Sequence, residues 1–129
     1  MEIRIIKPDG AFFDGTAEFF EFTSVEGRMG VYENHIPLTT ILEPCVVKIR
    51  EGETVKKAAV LGGFVEIQKK KITVLAEDAN WPEDIDVDRA RAAKERAQNR
   101  LDKKEKGIDL IRAEAALKRA MARISAAGK

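Results

Sequence analysis

The sequence predicts a mainly β protein with a helical tail: an N-terminal antiparallel β-sandwich followed by a C-terminal antiparallel two-helix hairpin. Three observations carry that class. Short runs that alternate apolar and polar residues, divided by turn residues, fill the first part of the chain. Alanine, arginine, lysine and glutamate at helical spacing, without proline, fill the rest. The change falls at Ile85-Asp86-Val87-Asp88-Arg89-Ala90, where Asp86 or Asp84 offers a carboxylate to the free amides of a first helical turn. Residues 1–84 therefore read as one domain and residues 85–129 as a second.

In chain order, Ile3 and Ile5 alternate with charge, Phe20 and Phe22 flank Glu21, and Val47 and Ile49 flank Lys48. Val65 and Ile67 then flank Glu66, and Ile72 and Val74 flank Thr73. Between these runs sit Pro8-Asp9-Gly10, Asp14-Gly15, Glu26-Gly27, Asn34 to Pro37, Glu51-Gly52 and Gly62-Gly63. Many short strands with turn residues between them point to a sandwich or a flattened barrel, and Phe19 and Tyr32 read as its packing, with an exposed contact surface as the alternative. Asn80 to Glu83 forms a linker in which Pro82 disfavours helix at Trp81.

A first helix is predicted from near Asp86 to about Lys104, with a break at Gly107 beside Asp109. A second runs from near Ile108 to about Ser125, with Leu110, Leu117, Met121 and Ile124 as its apolar stripe. The first helix offers only Ala90, Ala93, Ala97 and Leu101. Alanines let two axes approach closely but bury little area, at about 25 cal/mol per Å² of apolar surface. Such a hairpin detaches at modest cost.

A chain of 129 residues buries enough surface to fold without disulfides. Its lone Cys45 has no internal partner, which fits a reducing compartment. The longest apolar run, Ala58 to Val65, is too short to span a bilayer, and the N-terminus lacks the plan of a signal peptide. A soluble cytoplasmic protein, peripheral to something larger, is expected. The net charge of +1 conceals an asymmetry: residues 85–129 hold 13 basic and 7 acidic groups, residues 1–84 hold 10 and 15. The tail is thus suited to an anion, or to folding back on its own acidic half.

In an antiparallel hairpin turning near residues 105–107, Arg89 lies beside Arg123 and Ala93 beside Arg119, while Arg96 follows Arg89 two turns along the same face. Glu114 with Lys118 and Asp102 with Lys106 are ordinary pairs four residues apart. Arg96, Arg100, Arg119 and Arg123 have no acidic residue three or four positions away. Spacing leaves two readings open. One is a solvated helix face; the other is a cluster of planar, permanently charged forks for a phosphate chain.

Lys7-Pro8-Asp9-Gly10, Gly30 to Leu38, Gly62 to Ile67, Ile72 to Ala76 and Ile85 to Ala90 form an ordered series. With it the chain resembles, over nearly its whole length, the epsilon subunits of bacterial F-type ATP synthases. The resemblance implies a non-catalytic rotor component of the central stalk, at the cytoplasmic face of the cell membrane. Its sandwich would dock on the gamma subunit and the c-ring. Its hairpin would either fold on the sandwich or extend into the alpha/beta catalytic head and arrest ATP hydrolysis.

In bacillus-like members the folded form binds ATP as a regulatory ligand, with or without magnesium, through a motif that Ile85, Asp86, Arg89 and Ala90 match. Asp86 and Ala90 would then lie at the adenine end, and Arg89, Arg96, Arg119 and Arg123 at the phosphates and ribose. Glu33, Asn34, His35, Ile36 and Pro37 would form the loop that touches the c-ring. On its residues alone, His35 reads as a turn residue with local hydrogen bonds. Two departures stand out. Asn80 replaces a glutamate ahead of the motif, and Arg28 stands where an acidic residue is frequent.

No Gly-x-x-x-x-Gly-Lys-Ser/Thr loop is present, so a bound nucleotide is not expected to be hydrolysed by this chain. One histidine and one cysteine do not make a His/Cys metal site, no Gly-x-Ser-x-Gly elbow occurs, and no catalytic residue is assigned. A rival reading is a basic hairpin that binds nucleic acid, but it lacks clustered aromatics and carries many interleaved acids. A small sandwich enzyme is the other, and it would need a convergent acid and base.

Overall fold

The computed structural model describes residues 1–103 and 109–128. Eight strands come first: β1 (Glu2–Lys7), β2 (Gly10–Thr16), β3 (Phe19–Ser24), β4 (Gly27–Tyr32), β5 (Leu38–Glu51), β6 (Thr54–Ile67), β7 (Lys71–Ala76) and the short β8 (Ala79–Asn80). A 3-10 turn at Pro82–Asp84 leads into helices α1 (Val87–Lys103) and α2 (Leu110–Ala126). The strand order is β2-β1-β7-β6-β5-β3-β4, with β8 added to β6. Every pairing is antiparallel except that β1 runs parallel to β7.

The alternating runs face inward as their period requires. Ile3, Ile5, Val65, Ile67, Ile72 and Val74 pack with Phe20, Phe22, Val47 and Ile49 in one buried cluster. Strands β5 and β6, each of 14 residues, join the two layers. The far half of β6 pairs with β7, whereas its near half pairs with β8. The change of direction falls at Gly62 and Gly63, whose φ values are +100° and +135°. A Cβ on Gly63 would stand 2.0 Å from the Leu75 carbonyl oxygen, so the close strand approach requires glycine there.

Pro44 lies inside β5, where a missing amide normally disturbs a ladder. The β3–β5 pairing shifts register between Glu21 and Ser24, opposite that stretch. Thr23 pairs with Arg28 of β4 but has no partner in β5, and its N–H donates to Cys45 Sγ at 3.4 Å.

Tyr32 is not sandwich packing. It is 57% exposed, with its ring 4.8 Å from that of the half-buried Phe19 on the outer surface. Trp81 anchors the linker by stacking on Phe12 at 4.4 Å and meeting Phe13 edge-on at 6.2 Å.

Asp86 is the group that starts α1: its Oδ1 accepts from Arg89 N–H at 3.1 Å. Asp109 does the same for α2, accepting from Arg112 N–H at 3.1 Å. The expected break at Gly107 and the Asp102–Lys106 pair lie outside the described residues.

The apolar stripe expected on α2 is covered only in part: Leu117 and Ile124 are half-buried. Leu110 and Met121 are exposed, while Ala113, Ala120, Ala122 and Ala126 are buried. The reason is close approach on two sides. Ala113 and Ala120 are spaced like the buried Ala90 and Ala97 of α1, whereas Ala122 and Ala126 sit on Ala59 and Leu61 of β6. Helix α2 therefore packs against both α1 and the sandwich, and α1 is carried mainly by α2.

Candidate functional site

A cleft of about 420 Å³ opens where the linker enters the hairpin, lined by Asn80, Asp84, Ile85, Asp86, Arg89, Ala90, Ala93, Arg96 and Arg123. Three segments build it. The β8 pairing of Asn80 with Ala59 fixes one wall. The 3-10 turn and the Asp86 cap aim the start of α1 across it, and the docked end of α2 brings Arg123 from the other side. Its mixed walls, with three guanidinium groups near two carboxylates and an apolar floor at Ile85, Ala90 and Ala93, suit a ligand with an anionic end and an uncharged one.

Six of the seven residues expected at such a site, Ile85, Asp86, Arg89, Ala90, Arg96 and Arg123, thus meet in one place. Arg119 does not join them. It lies one turn, about 6 Å, nearer the tip of the hairpin and lines two other grooves.

Arg123 already has partners, contrary to a count of neighbours along its own helix. Its Nε donates to Asn80 Oδ1 at 2.9 Å, and a terminal nitrogen lies 3.4 Å from Asp78 Oδ2. Lys118 Nζ reaches Glu43 at 2.8 Å instead of relying on Glu114. The basic tail does fold back on the acidic half. Arg89 and Arg96 form no ion pair among the described residues.

The Glu43 hydrogen bond, and then its charge, raises the Lys118 ammonium above its ordinary range. Its contribution to the folded hairpin is therefore complete below that range and fades only as pH rises through the raised value. Asp78 and Asn80 as partners of Arg123 had no signal in spacing, because they lie more than 40 positions upstream.

The loop at Glu33, Asn34, His35, Ile36 and Pro37 is a separate place. Asn34 adopts φ +68° and donates its N–H to Lys69 O at 2.6 Å, tying the loop to the β6–β7 turn. His35 Nδ1 lies 2.6 Å from Ile36 O, a local hydrogen bond as its turn setting suggested. Ile36 is 79% exposed. From Lys69 the chain runs up β7, six residues or about 20 Å, before reaching the linker, so the loop and the cleft lie at different ends of the strands. Arg28 is exposed and lies 3.7 Å from Glu21.

Among the described residues no cluster of three or more His, Cys, Asp or Glu has the arrangement of a metal site. Among them, too, no helix is long and apolar enough to cross a membrane.

Comparison with known proteins covers both halves of the molecule. The family model described as ATP synthase, Delta/Epsilon chain, beta-sandwich domain matches residues 1–82, and that described as ATP synthase, Delta/Epsilon chain, long alpha-helix domain matches residues 83–128. The ATP synthase epsilon chain of Halalkalibacterium halodurans is 43% identical over 130 residues, which span 100% of this chain and 98% of that one. That of Desulfitobacterium hafniense is 45% identical over 125 residues, 97% and 94% of the two chains.

A chain in the mitochondrial ATP synthase of Euglena gracilis superposes with a TM-score of 0.83 at 21% identity, over 98% of this chain and 80% of its own length. A chain from the central stalk and c-ring of the Tetrahymena thermophila enzyme gives 0.57 at 20%, over 97% and 91%. The structural likenesses speak for the fold. The full-length sequence matches go further, and by them the chain belongs to the family of ATP synthase epsilon chains.

Proposed function

We propose that this chain is a non-catalytic component of the central stalk of an F-type ATP synthase, with its hairpin as a regulatory element that answers to ATP. The stalk role is supported by the full-length family match and by the epsilon-chain names of relatives above 40% identity. In that role the sandwich docks on gamma and the c-ring, with the exposed Ile36 loop as the contact to the ring, and the assembly sits at the cytoplasmic face of the membrane. The hairpin lies folded in one state and extends towards the alpha/beta head in the other, where it restrains hydrolysis.

The observation that carries the nucleotide part is the cleft. It exists only while the hairpin is folded, because Arg123 of α2 and the α1 residues Arg89, Ala90, Ala93 and Arg96 are among its walls. A ligand that needs both walls binds the folded state alone and shifts the population towards it. Arg89, Arg96 and Arg123 take the phosphate chain, with magnesium if it accompanies the nucleotide. Ile85, Asp86 and Ala90 face the base, and Arg119 reaches the phosphates only by swinging its long side chain across one turn. The chain binds the nucleotide without cleaving it.

The gain in stability follows RT ln(1+[L]/Kd), about 2.7 kcal/mol at a hundredfold excess over Kd. Millimolar ATP is expected to raise the melting temperature of the full chain, and Arg89→Ala to remove the rise. An unchanged melting temperature in the parent protein rejects the nucleotide part and leaves the stalk role in place.

A further inference from the structure

We propose that Lys118 and Arg123 form a charge latch, closed on Glu43, Asp78 and Asn80, that holds the hairpin folded on the sandwich with no nucleotide present. The proposal rests on the reading above only in requiring that the hairpin has a released state. The apolar contact under α2 is small: Ala122 and Ala126 lie on Ala59 and Leu61, with half-buried Val46 and Ile85 at the edge. Polar contacts flank it. Lys118 Nζ meets Glu43 at 2.8 Å, four residues before Ala122, and Arg123 meets Asn80 at 2.9 Å and Asp78 at 3.4 Å immediately after it.

The acceptors are held in place. Glu43 belongs to β5 and Asn80 to β8. Asp78 accepts from Ala79 N–H at 2.9 Å through Oδ1, which also lies 3.4 Å from Lys7 Nζ. Its other oxygen faces Arg123. One half of the latch is thus a fixed part of the strand layer, and the other half rides on a single helix. Helix α1 is carried by α2, so opening these contacts frees both helices together.

Charges that are one-quarter to one-half exposed, as these are, feel dissolved salt. Each pair is expected to shift the folded-to-released ratio about two- to fivefold, and both together roughly tenfold. Ionic strength then sets how readily the hairpin leaves while the cleft holds no nucleotide.

The test uses the full chain, free of nucleotide, with spin labels on cysteines introduced by Glu53→Cys and Glu95→Cys, two exposed positions outside the cleft. Distance distributions are recorded at low and at molar salt. The parent protein is expected to show one short distance at low salt and a growing long component at high salt. The Glu43→Gln, Asp78→Asn pair is expected to show the long component already at low salt, with little further response. Exchanging the signs by Glu43→Lys with Lys118→Glu is expected to restore the short distance. A released fraction that is the same in parent and variant, or a hairpin already released in the parent at low salt, overturns the latch. Absence of ATP binding would leave these distances untouched and count only against the nucleotide reading.

Discussion

Cys45 sits where β3 and β5 lose register, and its sulfur takes the place of a backbone acceptor for Thr23. Burial pushes the thiol above its ordinary range, outweighing the hydrogen bond that acts in the other direction. A protonated, shielded thiol is a poor nucleophile. In the native chain, alkylation at neutral pH is expected to run at least about a hundredfold slower than in a free peptide, and to recover in denaturant. Stability from keeping this thiol neutral is complete below the ordinary thiol range and falls as pH rises through the raised value. Rapid native labelling would contradict this placement. At the same scale, Arg123 shows where sequence reasoning stopped. Its isolation along α2 was legible, but its partners at Asp78 and Asn80 come from a distant strand end, which no spacing within a helix reveals.

Among the elements, β1, β3 and β7 were readable because one face is buried and the alternation is clean. Strand β2 was not: Phe12 and Phe13 are both half-buried, and both pack against Trp81 and the core cluster, so no period of two survives. The full length of β5 was hidden by Pro44, which is tolerated because the neighbouring ladder is already broken there. The alanine face of α1 was legible, and Ala90 and Ala97 are buried as expected. On α2 a stripe of larger residues was expected inside, whereas close approach to α1 and to β6 leaves the fully buried positions to alanine. The Gly62–Gly63 bend invites a direct test. Gly63→Ala forces a Cβ against the Leu75 carbonyl and a side chain into φ +135°. It is expected to lower stability on the order of 3 kcal/mol, read from a denaturation curve. Gly52→Ala, with nothing within 4 Å of the new atom, serves as the comparison. Equal losses in the two would show that the bend needs no close approach.

At the scale of the whole molecule, a strand layer with a continuous core carries two helices that touch it through a few alanines and a few charges. The change at Ile85 to Ala90 announced that division in the sequence, and four of those six residues, Ile85, Asp86, Arg89 and Ala90, line the cleft. Charge asymmetry allowed the tail to fold back on the acidic half, but the contacts that dock it were withheld, since ion pairs to distant strands leave no pattern along a helix. The central claim is that the hairpin restrains hydrolysis only when it leaves the sandwich. Ala59 and Ala126 belong to the same small buried cluster beneath α2, so Ala59→Cys with Ala126→Cys is the pair chosen for a reducible lock on the folded state. ATP hydrolysis by the assembled enzyme at low ATP, compared before and after reduction, tests the claim most directly. The oxidised, locked assembly is expected to turn over faster than the same assembly reduced; identical rates in the two states would contradict the account.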